Sequence, residues 1–214
     1  MIKMNFLRKL VKLFVFGLFG FALAHIGFYI YCLVTPKMDI SKSQSYYLFD
    51  SNNEAFLDKG RDWISLDNIS DYVILATLST EDKYFYKHLG FDYFRIAKAA
   101  VTNIVNKDML EGASTITQQY ARNLFLNYEK TWKRKINEML ISLYIEKNYS
   151  KEEILEGYLN SIYFDHGIYG VEDASLYYFG KKSKDLTLLE SVSLAAIPKG
   201  PTIHSPIKNT ENNE

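Results

Sequence analysis

The chain has 214 residues, 48% of them hydrophobic, with 25 Lys and Arg balanced by 25 Asp and Glu. Lys3, Arg8, Lys9 and Lys12 stand at its start with no acid among them, which leaves 21 cations against 25 acids, a balance of −4, in the remainder and argues against non-specific nucleic-acid binding. The single cysteine, Cys32, excludes an intrachain disulfide, and four scattered histidines argue against a zinc site.

In chain order, the apolar run from about Leu13 to Val34 comes first. As a helix rising 1.5 Å per residue it is long enough to cross about 30 Å of hydrocarbon. We therefore predict a single transmembrane anchor over residues 13–34. The four cations keep residues 1–12 in the cytoplasm, and everything from about Thr35 lies outside. The rival is a cleaved signal peptide, with Ala22, Leu23 and Ala24 as an AxA site, but the run continues apolar past it as IGFYIYCLV. His25, with no intramembrane acid to pair with, reads as a tolerated polar residue.

Residues 35–66 mix Tyr46, Tyr47, Leu48 and Phe49 with the polar cluster DSNNE, the pattern of a stalk with a short strand or hairpin. From residue 67 to 214 the pattern is mainly helical and long enough for one domain with a sizeable core. A helix is predicted over Ile69–Ser79, with Val73, Ile74, Leu75 and Leu78 on its apolar face, delivering Glu81 at or just beyond its end. A second covers Asp92–Val105, followed by a break at Lys107–Gly112. Ser114 is the expected cap of a helix through TITQQYARNLFL, and Thr131–Lys147 forms a long one. Ser150 with Glu153, and Thr187 with Glu190, make capping boxes for two more, the second ended by Pro198.

Three stretches hold residues suited to chemistry. Glu81 and Asp82 follow an apolar run and precede Tyr84, Phe85 and Tyr86. A carboxylate desolvated there suits a general base near neutral pH, whereas a solvated helix end beside Lys83 is the plainer reading. Ser114, Thr115, Thr117, Gln118 and Gln119 crowd polar groups into six positions, a surface for a sugar or a phosphate or else a cap with an exposed face. Arg122 shares a helix face with Gln119 and Thr115. In KRKINE, Glu138 lies four residues after Arg134, an ordinary surface pair unless the apolar stripe of Ile141 and Ile145 draws the acid inward, where it needs a partner.

The runs EDKYFYKHLGFD, GASTITQQYARN, KRKINE, EEILEGYLNSIYFDHGIYG and IPKGPTIHSP, in this order over about residues 65–206, resemble the motifs of the peptidoglycan glycosyltransferases. This is the lysozyme-like transglycosylase module found alone or at the front of penicillin-binding proteins. The resemblance implies polymerisation of lipid II into β-1,4-linked glycan strands, with release of undecaprenyl pyrophosphate, at the outer face of the bacterial plasma membrane. Its expected partners are lipid II, the growing strand, the membrane and other cell-wall synthesis proteins, and no nucleic acid.

By motif, Glu81 is similar to the general base that deprotonates the acceptor's 4-hydroxyl, and Glu138 to the second glutamate. The latter either orients the neighbouring cations or ligates a divalent metal such as Mg or Mn; no other cofactor is implied. Arg122 matches a lysine and Arg134 an arginine that hold the pyrophosphate. Asp82, Phe85, His88, Ser114, Thr115, Gln118 and Gln119 fall on positions that shape the cleft. Lys130 and Lys135 are further phosphate candidates, for which a solvated helix cation is an equal account. Met109 and Leu110 fit a membrane-dipping loop or ordinary core contacts, and Tyr158, Asn160 and Tyr169 fit scaffold.

Three departures from the family pattern stand out. Arg122 replaces an ammonium by a guanidinium fork. Asp165 and His166 occupy a place where glycine is usual, and Asp is among the less costly residues at positive φ. The sequence ends at Glu214, where the module usually continues for a few helical turns, so the expectation is either a fragment or a domain without its last packing element. With no transpeptidase domain following the module in the sequence, a monofunctional enzyme is the first expectation. A shortened, inactive relative that binds lipid II or cell-wall partners is the second, and a lysozyme-like glycan hydrolase the third.

Overall fold

Side chains cap four of the helices of this protein at their starts: Thr115, Thr131, Ser150 and Thr187. The computed structural model describes residues 63–106, 112–126 and 131–200, together with Ile40, two short strands and single positions between 12 and 35. The strands, β1 (Leu48–Phe49) and β2 (Ala55–Leu57), pair antiparallel with Leu48 opposite Leu57. Seven helices follow: α1 (Asp71–Glu81), α2 (Tyr93–Asn106), α3 (Ile116–Phe125), α4 (Trp132–Asn148), α5 (Lys151–Ser161), α6 (Val171–Phe179) and α7 (Leu188–Ala196). The described part is mainly helical, as expected.

The Ser150/Glu153 and Thr187/Glu190 capping boxes form as read from the sequence. At α3 the cap is one residue later than expected. Thr115, not Ser114, occupies the N-cap and accepts from the Gln118 amide at 3.2 Å, while the Gln118 side chain takes the Thr115 N–H at 3.0 Å. The shift has a physical reason: only Thr115 has a glutamine three residues on, and a reciprocal pair satisfies two orphan amides where a lone hydroxyl satisfies one. Ser114 is left free to accept from Lys135 Nζ at 3.0 Å.

α1 packs along α7, and α3 lies against both α4 and α5. The shared core contains Ile69, Val73, Ile116, Ile145, Leu155 and Leu194, all buried. Tyr120 is wholly buried in α3, and its hydroxyl donates to the Ile40 carbonyl at 2.6 Å. Its ring fits there because Gly157 faces it: a Cβ at 157 would stand 2.1 Å from the hydroxyl oxygen. Gly157→Ala is therefore a test of this packing. Alanine favours a helix by about 1 kcal/mol, but overpacking a ring with nowhere to move costs about 3 kcal/mol, so a net loss of about 2 kcal/mol is expected. A thermal melt then shows a drop of about 4–8 °C.

A polar clamp fastens the chain leading into the domain onto α5. Glu156 accepts from the Trp63 indole at 2.8 Å and the Leu66 amide at 3.0 Å. Asn160 accepts from Ile64 N–H at 2.9 Å and donates to Ile64 C=O at 2.8 Å, the scaffold role read for it from the sequence. Beyond α5 the chain turns through Asp165 (φ 69°), His166 (φ 49°) and Gly167 (φ 76°). The glycine-replacing Asp165 thus does sit in the left-handed region, where Asp is tolerated better than most residues.

Met1–Met38 is a separate unit from Asp39–Glu214. Its described positions from Lys12 to Val34 are helical, and Phe16, Phe19, Leu23, Ile26, Ile30 and Val34 are exposed. Most of the expected anchor, Ala22, Ala24, His25 and Cys32 included, lies outside the described residues, and among those described no helix is long and apolar enough to cross a membrane. Met109, Leu110 and Lys130 also lie outside them.

Candidate active site

Glu81 is the last residue of α1, and only 7% of it is exposed. Its Oε2 accepts from Gln119 Nε2 at 2.8 Å, whereas Oε1 is buried with no hydrogen-bond partner among the described residues. An unsatisfied buried carboxylate oxygen costs about 1–3 kcal/mol, a cost that vanishes when a donor such as a substrate hydroxyl arrives. The Gln119 amide is oriented from behind by the Tyr158 hydroxyl, 3.4 Å from its Oε1. Burial, and then the Glu81 carboxylate, push the Tyr158 phenol well above its usual range while Arg122 pulls it down. Tyr158 therefore keeps its proton to donate, and it lies within the fields of both Glu81 and Arg122.

Asp82 is next in sequence and serves differently. It is 1% exposed, His88 Nε2 lies 3.0 and 3.1 Å from its two oxygens, and Oδ2 also accepts the Ile116 N–H at 3.0 Å. A carboxylate at the first amide of α3 complements that helix end and bolts it to the end of α1. This joint sets the distance from Glu81 to Gln119. Phe85, Thr115 and Gln118 are buried behind it: Lys151 Nζ lies 4.3 Å from the centre of the Phe85 ring, Thr115 donates to Gly90 C=O at 2.7 Å, and Gln118 completes the cap. These three support the cleft without lining it.

The cations sit on α3 and α4. Glu138 is wholly buried, with Arg134 Nη1 at 2.6 Å from one oxygen and Lys135 Nζ bonded to the other. Lys135 also donates to Ser114 Oγ at 3.0 Å, which ties the polar run before α3 to α4. Arg122 is half-buried, and its Nε is buried with no hydrogen-bond partner among the described residues. A donor left unpaired in this way is suited to an incoming anion.

Both Glu138 oxygens are engaged by cations, whose charge opposes a metal ion beside them, and among the described residues no three His, Cys, Asp or Glu come together. These residues do not fit a divalent ion. The Glu138 oxygens instead hold Arg134, one of the two cations the residue was expected to orient, and Lys135, which was not among them.

Sequence reasoning missed part of the site. A cleft of about 500 Å³ opens beside Glu81, lined by Lys83, Arg95, Lys98 and Lys199 as well as Asp92. Four cations against two acids make it attractive to anions. The signal available was Arg95 and Lys98 at i, i+3 on α2, a helix read only from its apolar side.

A sequence model of the family described as Transglycosylase matches residues 51–214. Penicillin-binding protein 2D of Bacillus subtilis (strain 168) is 45% identical over 209 residues, covering 94% of this chain and 30% of that protein. Penicillin-binding protein 4 of the same organism is 40% identical over 176 residues, 80% of this chain and 28% of its own length. Penicillin-binding protein 1A of Neisseria gonorrhoeae is 39% identical over 209 residues, 92% of this chain and 26% of its own. The chain thus spans under a third of the length of the curated relatives it matches.

Proposed function

The chain belongs to the transglycosylase family, and on that premise we propose that it polymerises lipid II into β-1,4-linked glycan strands for the cell wall, releasing undecaprenyl pyrophosphate. In this reading residues 13–34 anchor it in the bacterial plasma membrane with the N-terminus in the cytoplasm, and residues 67–214 work at the outer face. The observation that carries the reading is the state of Glu81: buried, fixed through one oxygen by Gln119, and with the other unpaired.

Glu81 is the general base. Its free oxygen accepts the proton of the acceptor's 4-hydroxyl as that oxygen bonds to the anomeric carbon of the donor, and the bond from that carbon to the pyrophosphate breaks on the opposite face. The electron pair leaves on the pyrophosphate, and one displacement inverts the centre. No acid need protonate such a leaving group when cations absorb its charge. Arg122 offers an unpaired guanidinium N–H, at Nε, for this, while Arg134 and Lys135 are held in place by Glu138. Glycan hydrolysis usually takes two carboxyls flanking one bond, whereas the cations around Arg122 and Arg134 suit a departing pyrophosphate better.

The test is incubation of the detergent-solubilised protein with labelled lipid II. Glycan polymer is expected. Sugars released from preformed glycan with no lipid substrate present would point to a hydrolase, and lipid II bound by a folded protein without polymer would point to a binding module.

A further inference from the structure

We propose that Arg95 is a positioning residue for Glu81, an inference that rests on the reading of Glu81 as the base. Arg95 lies in the first turn of α2 and is half-buried, and its own amide is fixed by Asp92 Oδ1 at 2.8 Å. Its guanidinium reaches two backbone carbonyls. Nη1 donates to the carbonyl of Glu81 itself, and Nη2 to that of Gly112 at 3.4 Å.

Each carbonyl matters for the same hydrogen bond. Glu81 closes α1, and the last four carbonyls of a helix lack intrahelical partners. Leu78 C=O is taken by the Asp82 amide at 3.0 Å, and Ala76 C=O also accepts the Thr80 hydroxyl at 2.6 Å, but the Glu81 carbonyl relies on Arg95. A cation at that end also offsets the negative pole of the helix, next to a carboxylate that must stay ionised to work. Gly112 stands three residues before Thr115, the cap of the helix that carries Gln119. One guanidinium therefore fixes the backbone beneath Glu81 and the approach to its partner Gln119.

Arg95 also lines the cationic cleft, so contact with an anionic substrate is the competing role. Steady-state kinetics with lipid II, for the wild type, Arg95→Ala and Arg95→Lys, separates the two. Misplacement of a base by about 1 Å costs up to about 100-fold in rate. In Arg95→Ala we expect kcat to fall by about 10- to 100-fold with KM within about threefold. Arg95→Lys recovers part of kcat, because an ammonium replaces the bond to Glu81 but does not reach both carbonyls as a planar fork does.

A rise in KM at unchanged kcat, in either variant, would assign Arg95 to the substrate and overturn the proposal, as would unchanged kinetics. If Arg95→Ala does not fold, the split of kcat from KM in Arg95→Lys decides. Absence of polymer from the wild type would overturn the reading of Glu81 and this inference together, whereas polymer from the wild type with full kcat in the variants overturns this inference alone.

Discussion

Glu81→Gln yields a folded protein that makes no glycan from lipid II. Glutamine is isosteric with glutamate and still offers an oxygen to Gln119 Nε2, so the contact between α1 and α3 survives. It removes a buried charge whose second oxygen has no partner among the described residues. Melting temperature is therefore expected to stay level or rise slightly, as often happens when a strained functional group is neutralised. Turnover must fall steeply, because an amide does not accept the proton. A positioned general base contributes about 10²–10⁴-fold, and the neutral side chain also loses the pull on the attacking hydroxyl, so kcat is expected to drop at least 10³-fold, roughly the upper part of that range. Lipid II binding, which the proposed mechanism assigns to the cations, should change little. Retained polymerisation by a well-folded Glu81→Gln would remove this residue from the base role and the proposed mechanism with it.

How far the sequence revealed this site depends on how local each feature is. The Ser150/Glu153 and Thr187/Glu190 boxes involve residues three apart, and both appear as read. The start of α3 was misplaced by one residue because Ser114 and Thr115 are equal as hydroxyls. What separates them is the reciprocal bond to Gln118 and the claim of Lys135 on Ser114, the second of which is a contact between helices. Glu138 could be read as an inward-facing acid paired with Arg134, since Ile141 and Ile145 share its stripe, but the second cation was not assigned to it. Asp165 could be judged against the glycine it replaces, because backbone sign is a local property. The hold of Arg95 on Glu81 and Gly112 spans fourteen and seventeen positions and follows from tertiary placement; no spacing rule along one chain anticipates it. Tyr158 was likewise read as scaffold, and only its placement behind Gln119 brings it to the site.

Glu138→Ala is expected to damage both stability and activity, and the two losses have one cause. The carboxylate is wholly buried and holds Arg134 with one oxygen and Lys135 with the other. Removing one partner of a buried pair costs about 3–5 kcal/mol, mostly through the charge left behind. Here the side chains left behind are 16% and 34% exposed, so water recovers part of that loss and the low end, about 3 kcal/mol, applies. For a protein of this size the melting temperature falls by about 6–12 °C. Without the carboxylate the two cations repel each other, and the site loses charges preorganised, in the proposed reaction, for the departing pyrophosphate. A loss of about 10²-fold in kcat is then expected. Glu138→Gln should split the two effects: an amide oxygen still accepts from one cation, so stability falls less, while the pair is no longer held together and turnover falls nearly as far. The double variant Arg134→Ala/Glu138→Ala supplies the sign. If the cost of Glu138→Ala is the stranded charge, deleting Arg134 as well makes the protein more stable than the single variant, by the non-additivity expected of groups in direct contact. Simple addition of the two losses would mean that Glu138 contributes through packing, and that Arg134 and Lys135 hold their positions without it.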